Sequence, residues 1–117
     1  MEGLSNYQKE ERPWGNFERF TLNEKTTVKI LTIQPNESVS LQTHERRDEF
    51  WRIIKGSGVV HIGEVEHQTM IGDTFWCPRN STHRISGGPE GIQWLEISFG
   101  EFDEQDIVRL EDRYGRS

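Results

Sequence analysis

Apolar residues along this chain fall in short alternating or near-continuous runs, broken every few positions by turn residues. That pattern predicts strands over 16–22, 27–34, 38–43, 49–55, 58–62, 64–70, 74–77, 82–86 and 92–99. Asn23-Glu24, Pro35-Asn36, Gly56-Ser57, Gly63, Gly72-Asp73 and Gly87-Gly88-Pro89 punctuate them as turns. Many short strands at such intervals predict an all-β barrel or sandwich rather than a parallel α/β sheet. One stretch reads differently. Residues 104–112 place Ile107, Val108 and Leu110 on one side and acids in the first turn, which predicts a short C-terminal helix. Residues 1–11 are polar and predict a loose arm, or a strand lent to a neighbour, ahead of a single domain over 12–117.

Composition narrows the function classes. At 117 residues the chain suits one core, and although only 32% of residues are hydrophobic, four Trp and six Phe can each bury a large area. Association through a strand edge or apolar face would add to that core, so a homodimer is expected. With 14 basic against 20 acidic residues, a general nucleic-acid surface is excluded, and an anionic ligand would need a local basic cluster. No apolar run approaches the ~20 residues of a membrane span, and the first residues lack a signal peptide's charged and apolar regions. With a single cysteine, Cys77, these features predict a cytoplasmic protein.

The candidate chemistry lies in four side chains. Gln42 and His44 are two apart on a predicted strand and therefore share a face. Glu49 opens the next strand beside His44, and His83 sits in a second strand pair bounded by Gly72-Asp73 and Pro78-Arg79-Asn80-Ser81. Oxygen and imidazole donors presented together by strands predict one mononuclear metal site. The amide ligand Gln42 suits a hard or borderline divalent ion better than copper. Lys29 and Glu96 are polar where a strand's inner face is expected to be apolar, which marks them as cavity residues able to move a proton. Trp51 shares parity with Glu49 and faces inward, as core filler or as a ring against a bound ligand. Trp14 reads as structural, Arg46 as a solvated loop residue, and His61 and His67 as histidines without ligand partners.

These spacings resemble the two motifs of the cupin superfamily. The first runs here as Asn36, five residues, Gln42-Thr43-His44, four residues, Glu49, six residues, Gly56. The second runs as Gly72, five residues, Pro78-Arg79-Asn80, two residues, His83, three residues, Gly87. Asn36 and Asn80 stand where the pattern has Gly, and Gly87 where it has Asn; both residue types tolerate positive φ. Gln42 replaces the first His.

Gln-x-His completed by Glu and His resembles the zinc site of phosphomannose isomerases. Arg12-Pro13-Trp14-Gly15, Leu41-Gln42, Arg47, Trp51, Glu96 and the stretch from Asp106 to Arg116 resemble the cupin domain of type II mannose-6-phosphate isomerases. Glu45, Arg46 and Phe50 stand where that family usually has His. The resemblance implies one divalent metal, with zinc first and manganese, cobalt, nickel or iron acceptable to the same ligands. It implies a phosphorylated sugar as substrate and interconversion of mannose 6-phosphate and fructose 6-phosphate. In that reaction Glu96 or Lys29 would transfer the proton, and Arg47 and Arg116 would bind phosphate. It further implies a nucleotidyltransferase as neighbour, since the domain often follows a mannose-1-phosphate guanylyltransferase domain. Three alternatives stay open: a non-catalytic metal- and sugar-binding module, another metal-dependent cupin enzyme such as a dioxygenase, and a metal-free epimerase.

Overall fold

The computed structural model describes residues 1–111, in nine strands: β1 (Gln8–Arg12), β2 (Gly15–Arg19), β3 (Thr26–Ile33), β4 (Leu41–Thr43), β5 (Arg47–Ile62), β6 (Val65–Gln68), β7 (Thr74–Cys77), β8 (His83–Gly100) and β9 (Val108–Glu111). β1 and β2 form a hairpin. The other seven form one antiparallel sheet ordered β6-β5-β8-β4-β9, with β3 added along β8 and β7 along β5.

Two long strands organise that sheet. The first part of β5 pairs with the last part of β8, from Arg47 opposite Gly100 to Gly56 opposite Ile92. The remainder pairs with the start of β8, from Gly58 opposite Gly87 to Ile62 opposite His83, after register shifts at 53–55 and 56–58. β3 and β7 flank the first pairing; β4 and β6 flank the second. One bent strand pair thus serves two facing layers, the double-stranded arrangement of a small jelly roll.

The runs at 49–55 and 58–62 are therefore one strand, as are those at 82–86 and 92–99. Their glycine signals bend a strand instead of reversing the chain. Gly56 has φ +73°, and a Cβ there would lie 2.2 Å from the Gly91 carbonyl oxygen. A Cβ at Gly58 would lie 2.0 Å from that of Ser86. Only glycine lets the two backbones pass so closely at the bulges. The Asn substitutions behave as expected, since Asn36 and Asn80 hold φ of 62° and 65°.

The expected C-terminal helix is not formed. The Asp106 N–H reaches the Asp103 carbonyl (2.9 Å), which makes a single turn, and Val108–Glu111 then pairs with β4 as β9. An isolated helix this short is marginal, whereas the exposed edge of β4 satisfies the backbone of β-branched Val108 and its neighbours at once.

Strand alternation divides the side chains between two cores. On the inner face Trp51, Ile53, Val60, Ile85, Ile92 and Trp94 pack together. On the outer face Phe50 and Ile97 pack under Leu4, Tyr7, Phe20, Trp76 and Phe99, with the Phe20 and Phe50 rings 5.3 Å apart. The stretch that composition marks as a loose or donated arm pairs with β2 of its own chain and buries Leu4. Trp14, read as structural, is 73% exposed in the two-residue turn between β1 and β2. Phe50→Ala should cost about 3–5 kcal/mol, the usual range for a buried Phe. Urea unfolding with limited proteolysis of the first 20 residues checks this; unchanged stability would show that the outer core contributes little.

The inner face grades from apolar to polar along the strands. Ile53 stands opposite Trp94, then Trp51 opposite Glu96, and Glu49 opposite Ser98, while Lys29 of β3 stands opposite Glu96 from the other side. Buried polar groups therefore collect at one end of the barrel.

Candidate metal centre

β4 carries Gln42 and leads into His44; β5 carries Glu49; β8 begins at His83, which pairs with Gln42 in register. Folding the two layers together brings one ligand atom each from His44, Glu49 and His83 within 4.8 Å of one another. All three are buried, and the imidazole rings lie 4.9 Å apart.

One-way hydrogen bonds set the imidazole tautomers. His44 Nδ1 meets the Asp106 carbonyl oxygen at 2.5 Å, and a carbonyl can only accept, so Nδ1 carries the proton. On the other nitrogen, Nε2, the Arg47 guanidinium donates from Nη2 at 3.2 Å, so Nε2 is bare. His83 Nδ1 donates in the same way to the Ser81 carbonyl at 3.3 Å, and its Nε2 is buried without a hydrogen-bond partner. His44 Nε2 faces Glu49 Oε2 at 3.5 Å. Lone pairs converging in a buried site repel unless a proton donor or a cation lies between them. Arg47 meets part of that demand, donating to Glu49 Oε2 from Nε at 2.8 Å as well as to His44. His83 Nε2 is left unserved, so the donor set fits a divalent ion bound by N and O ligands.

Electrostatics separates the two carboxyls of the site. Burial pushes the Glu49 carboxyl up, but the His83 and His44 imidazoles and the Arg47 guanidinium outweigh it, and the net displacement is downward. Trp51 holds the same carboxylate, its indole N–H donating to Oε1 at 3.0 Å. Glu96 moves the other way, to about 8, through burial first and then the adjacent Glu49 charge; Trp94, donating at 3.4 Å, and Lys29 oppose the rise. Burial also lowers His83 to about 4. Near neutrality, without metal, the centre thus holds an ionised Glu49, a protonated Glu96 and a neutral His83.

The centre opens onto a cavity of about 230 Å³. Among its lining residues are Gln42, His44, Arg47, Glu49, Trp51, His83, Lys29 and Glu96, so every expected site residue within the described part of the chain lies there. Gln42 Oε1 accepts from Ser40 at 3.2 Å. Lys29 pairs with Glu104 at 3.0 Å and lies over the Phe102 ring. Arg116 falls outside the described residues. His61 pairs with Glu66, and His67 packs on Phe75, both away from this cavity. Phe50 belongs to the outer core, so the departure from His at that position lies away from His44, Glu49 and His83.

Sequence reading missed the connection from β8 to β9. Phe102 lies under the Arg47 guanidinium, Asp103 accepts from Arg47 through its carbonyl, and Asp106 accepts from His44. The only signal was that the family-like terminal stretch begins at Asp106.

No helix among the described residues is long and apolar enough to cross a membrane. Among solved structures, the chain is similar to oxalate decarboxylase from Bacillus subtilis, with TM-score 0.68 and 24% identity over 74% of this chain and 24% of that one. It is also similar to the capsular polysaccharide assembling protein CapF from Staphylococcus aureus, with TM-score 0.67 and 18% identity over 90% and 32%. These likenesses support the cupin fold. In sequence it is 36% identical over 110 residues to mannose-1-phosphate guanylyltransferase ManC of Salmonella typhimurium, covering 90% of this chain and 22% of the relative. It is 33% identical over 113 residues to the xanthan biosynthesis protein XanB of Xanthomonas campestris, covering 95% and 24%. The chain thus spans about a quarter of the length of these relatives. Residues 2–112 match the profile described as "Mannose-6-phosphate isomerase C-terminal", and the chain belongs to that family, carried on a cupin fold.

Proposed function

We propose that this domain is a metal-dependent isomerase interconverting mannose 6-phosphate and fructose 6-phosphate through an enediolate. The observation that carries the reading is the convergence of bare imidazole nitrogens and an ionised Glu49 beside a protonated Glu96, in a cavity sized for a small polar substrate. Membership of a family described as mannose-6-phosphate isomerase supports a mannose phosphate as the sugar.

His44 and His83 through Nε2, Glu49 through its carboxylate and Gln42 through its amide oxygen would hold the ion, zinc in the first instance. Bound there, a divalent ion supplies Lewis-acid stabilisation of the charge that gathers on the C1 and C2 oxygens. The chain's own residues do the rest. Glu96 is the candidate base that takes the proton from one carbon and returns it to the other; its raised pKa suits a group that must both accept and donate near neutrality. Lys29, opposite Glu96 in register and lining the same cavity, is the candidate donor to a substrate oxygen. Arg47 and Arg116 are the proposed phosphate cations. Arg47 serves the same lone pairs that a metal ion would take, so its donors become available to an anionic group once those lone pairs are used. Trp51 holds Glu49 in position while lining the cavity.

The binding-only module is the second reading, motivated by the family histidines missing at positions 45, 46 and 50. Against it, Phe50 packs in the outer core, His44, Glu49 and His83 converge, and Gln42 lines the same cavity. Cytoplasmic location, homodimerisation and association with a nucleotidyltransferase belong to the same proposal; the relatives named as guanylyltransferases support the last.

The test is conversion of mannose 6-phosphate to fructose 6-phosphate by purified protein, after chelation and again with each divalent metal restored. Turnover should vanish on chelation and return with zinc or a close substitute. Metal binding without turnover would transfer the function to the binding module, and oxygen consumption with bound iron would identify a dioxygenase.

A further inference from the structure

We infer that Asp106 is a positioning residue of this site, fixing the tautomer and aim of His44 from the connection between β8 and β9. The inference rests on the metal reading above for its purpose, and on geometry of its own.

A single residue grips three consecutive positions of the turn that carries the site. The Asp106 carbonyl accepts from His44 Nδ1, while its carboxylate accepts from the main-chain N–H of Glu45 at 2.9 Å and of Arg46 at 3.0 Å, one oxygen each. That turn leads directly into Arg47 and β5, so the grip spans the segment between two ligands, His44 and Glu49. Asp103 and Phe102 of the same connection hold the Arg47 side chain, at 3.1 Å to the carbonyl and 4.6 Å to the ring centre.

The chemistry of this grip is specific. A carbonyl facing Nδ1 excludes the tautomer that would protonate Nε2, the nitrogen aimed at Glu49 and His83. An imidazole N–H bonded to a carbonyl is also a better donor through its other nitrogen and cannot rotate away. The carboxylate does not touch the ring. Its two bonds to the turn keep the carbonyl in place. Asp106 itself is only partly buried and lies outside the paired strands, so little core packing rests on its side chain.

The test compares wild type, Asp106→Ala and Asp106→Asn in the full chain. Co²⁺ affinity is read from the ligand-field absorption, and the His44 tautomer from imidazole ¹⁵N shifts of metal-free protein. Asp106→Ala should weaken Co²⁺ about 10–100-fold, as loss of an outer-shell partner does. It should also convert His44 from the pure Nδ1–H form to a tautomer mixture, with little change in metal-free melting temperature. Asp106→Asn, which keeps one acceptor, should fall between. Wild-type affinity and tautomer in both variants would overturn the inference. If Asp106→Ala fails to fold, Asp106→Asn decides alone. Absence of Co²⁺ binding by wild type would overturn the metal reading, while the ¹⁵N comparison would still judge the grip on His44.

Discussion

His83→Ala will remove metal retention and isomerase turnover together while leaving the metal-free fold in place. His83 Nε2 is a buried lone pair with no hydrogen-bond partner, so the metal-free protein loses no bond at that atom on truncation. The cost is confined to ring packing against Trp51, 5.4 Å away, and His44, and to the bond from Nδ1 to Ser81. The metal, by contrast, loses a ligand. The affinity loss should exceed the roughly 10–100-fold typical of outer-shell changes, and His44→Ala should behave alike in metal content. The two variants should differ in metal-free stability, since His44 also anchors Asp106. Metal content after dialysis, turnover and unfolding should be measured on the same preparations. Full metal occupancy in His83→Ala would remove that residue from the ligand set.

Glu96→Gln should keep the metal and lose the reaction. Glutamine preserves the shape and the contact with Trp94 but cannot take a carbon-bound proton, so turnover should fall by about 10²–10⁴ with KM little altered. An unaffected rate would pass the role to Lys29. The same variant has a signature in metal-free protein. Glu96 holds its proton to about 8 when folded against 4.5 as its ordinary value, so its contribution to stability is complete below 4.5 and is lost as pH rises towards 8. Glu49, displaced downward, contributes in the opposite sense: its stabilisation is present above 4.5 and lost on acidification. His83, lowered to about 4 against 6.5, makes stability rise with pH up to about 6.5 and so offsets Glu96 over that range. Denaturant midpoints should therefore fall with rising pH between about 6.5 and 8 in wild type and stay flat over that window in Glu96→Gln.

The meeting of His44, Glu49 and His83, with Gln42 lining the same cavity, was legible because cupin spacing is local arithmetic. Gln42 and His44 share a strand face, Glu49 starts the next strand, and the second turn delivers His83, so alternation alone sends them to one side. Inward Glu96 and Lys29 were legible for the same reason. The role of Arg47 was not. Sequence marks it as a cation near the site, but that its guanidinium serves the same atoms as a metal ion follows from β5 pairing with the end of β8, Arg47 opposite Gly100.

Local sequence, by itself, determined the extended segments between 16 and 99, the inward side chains of the site, and where asparagine can replace glycine at positive φ, as at Asn36 and Asn80. Each depends on a residue and its immediate neighbours. Tertiary structure alone decided the rest. Whether glycine reverses a chain or bends a strand depends on the backbone crossing it, here Gly91 against Gly56. Whether 108–111 is helix or strand depends on the free edge of β4. Whether a carboxyl keeps its proton depends first on its burial and then on the charge beside it, and strand pairing both buries Glu96 and brings it beside Glu49.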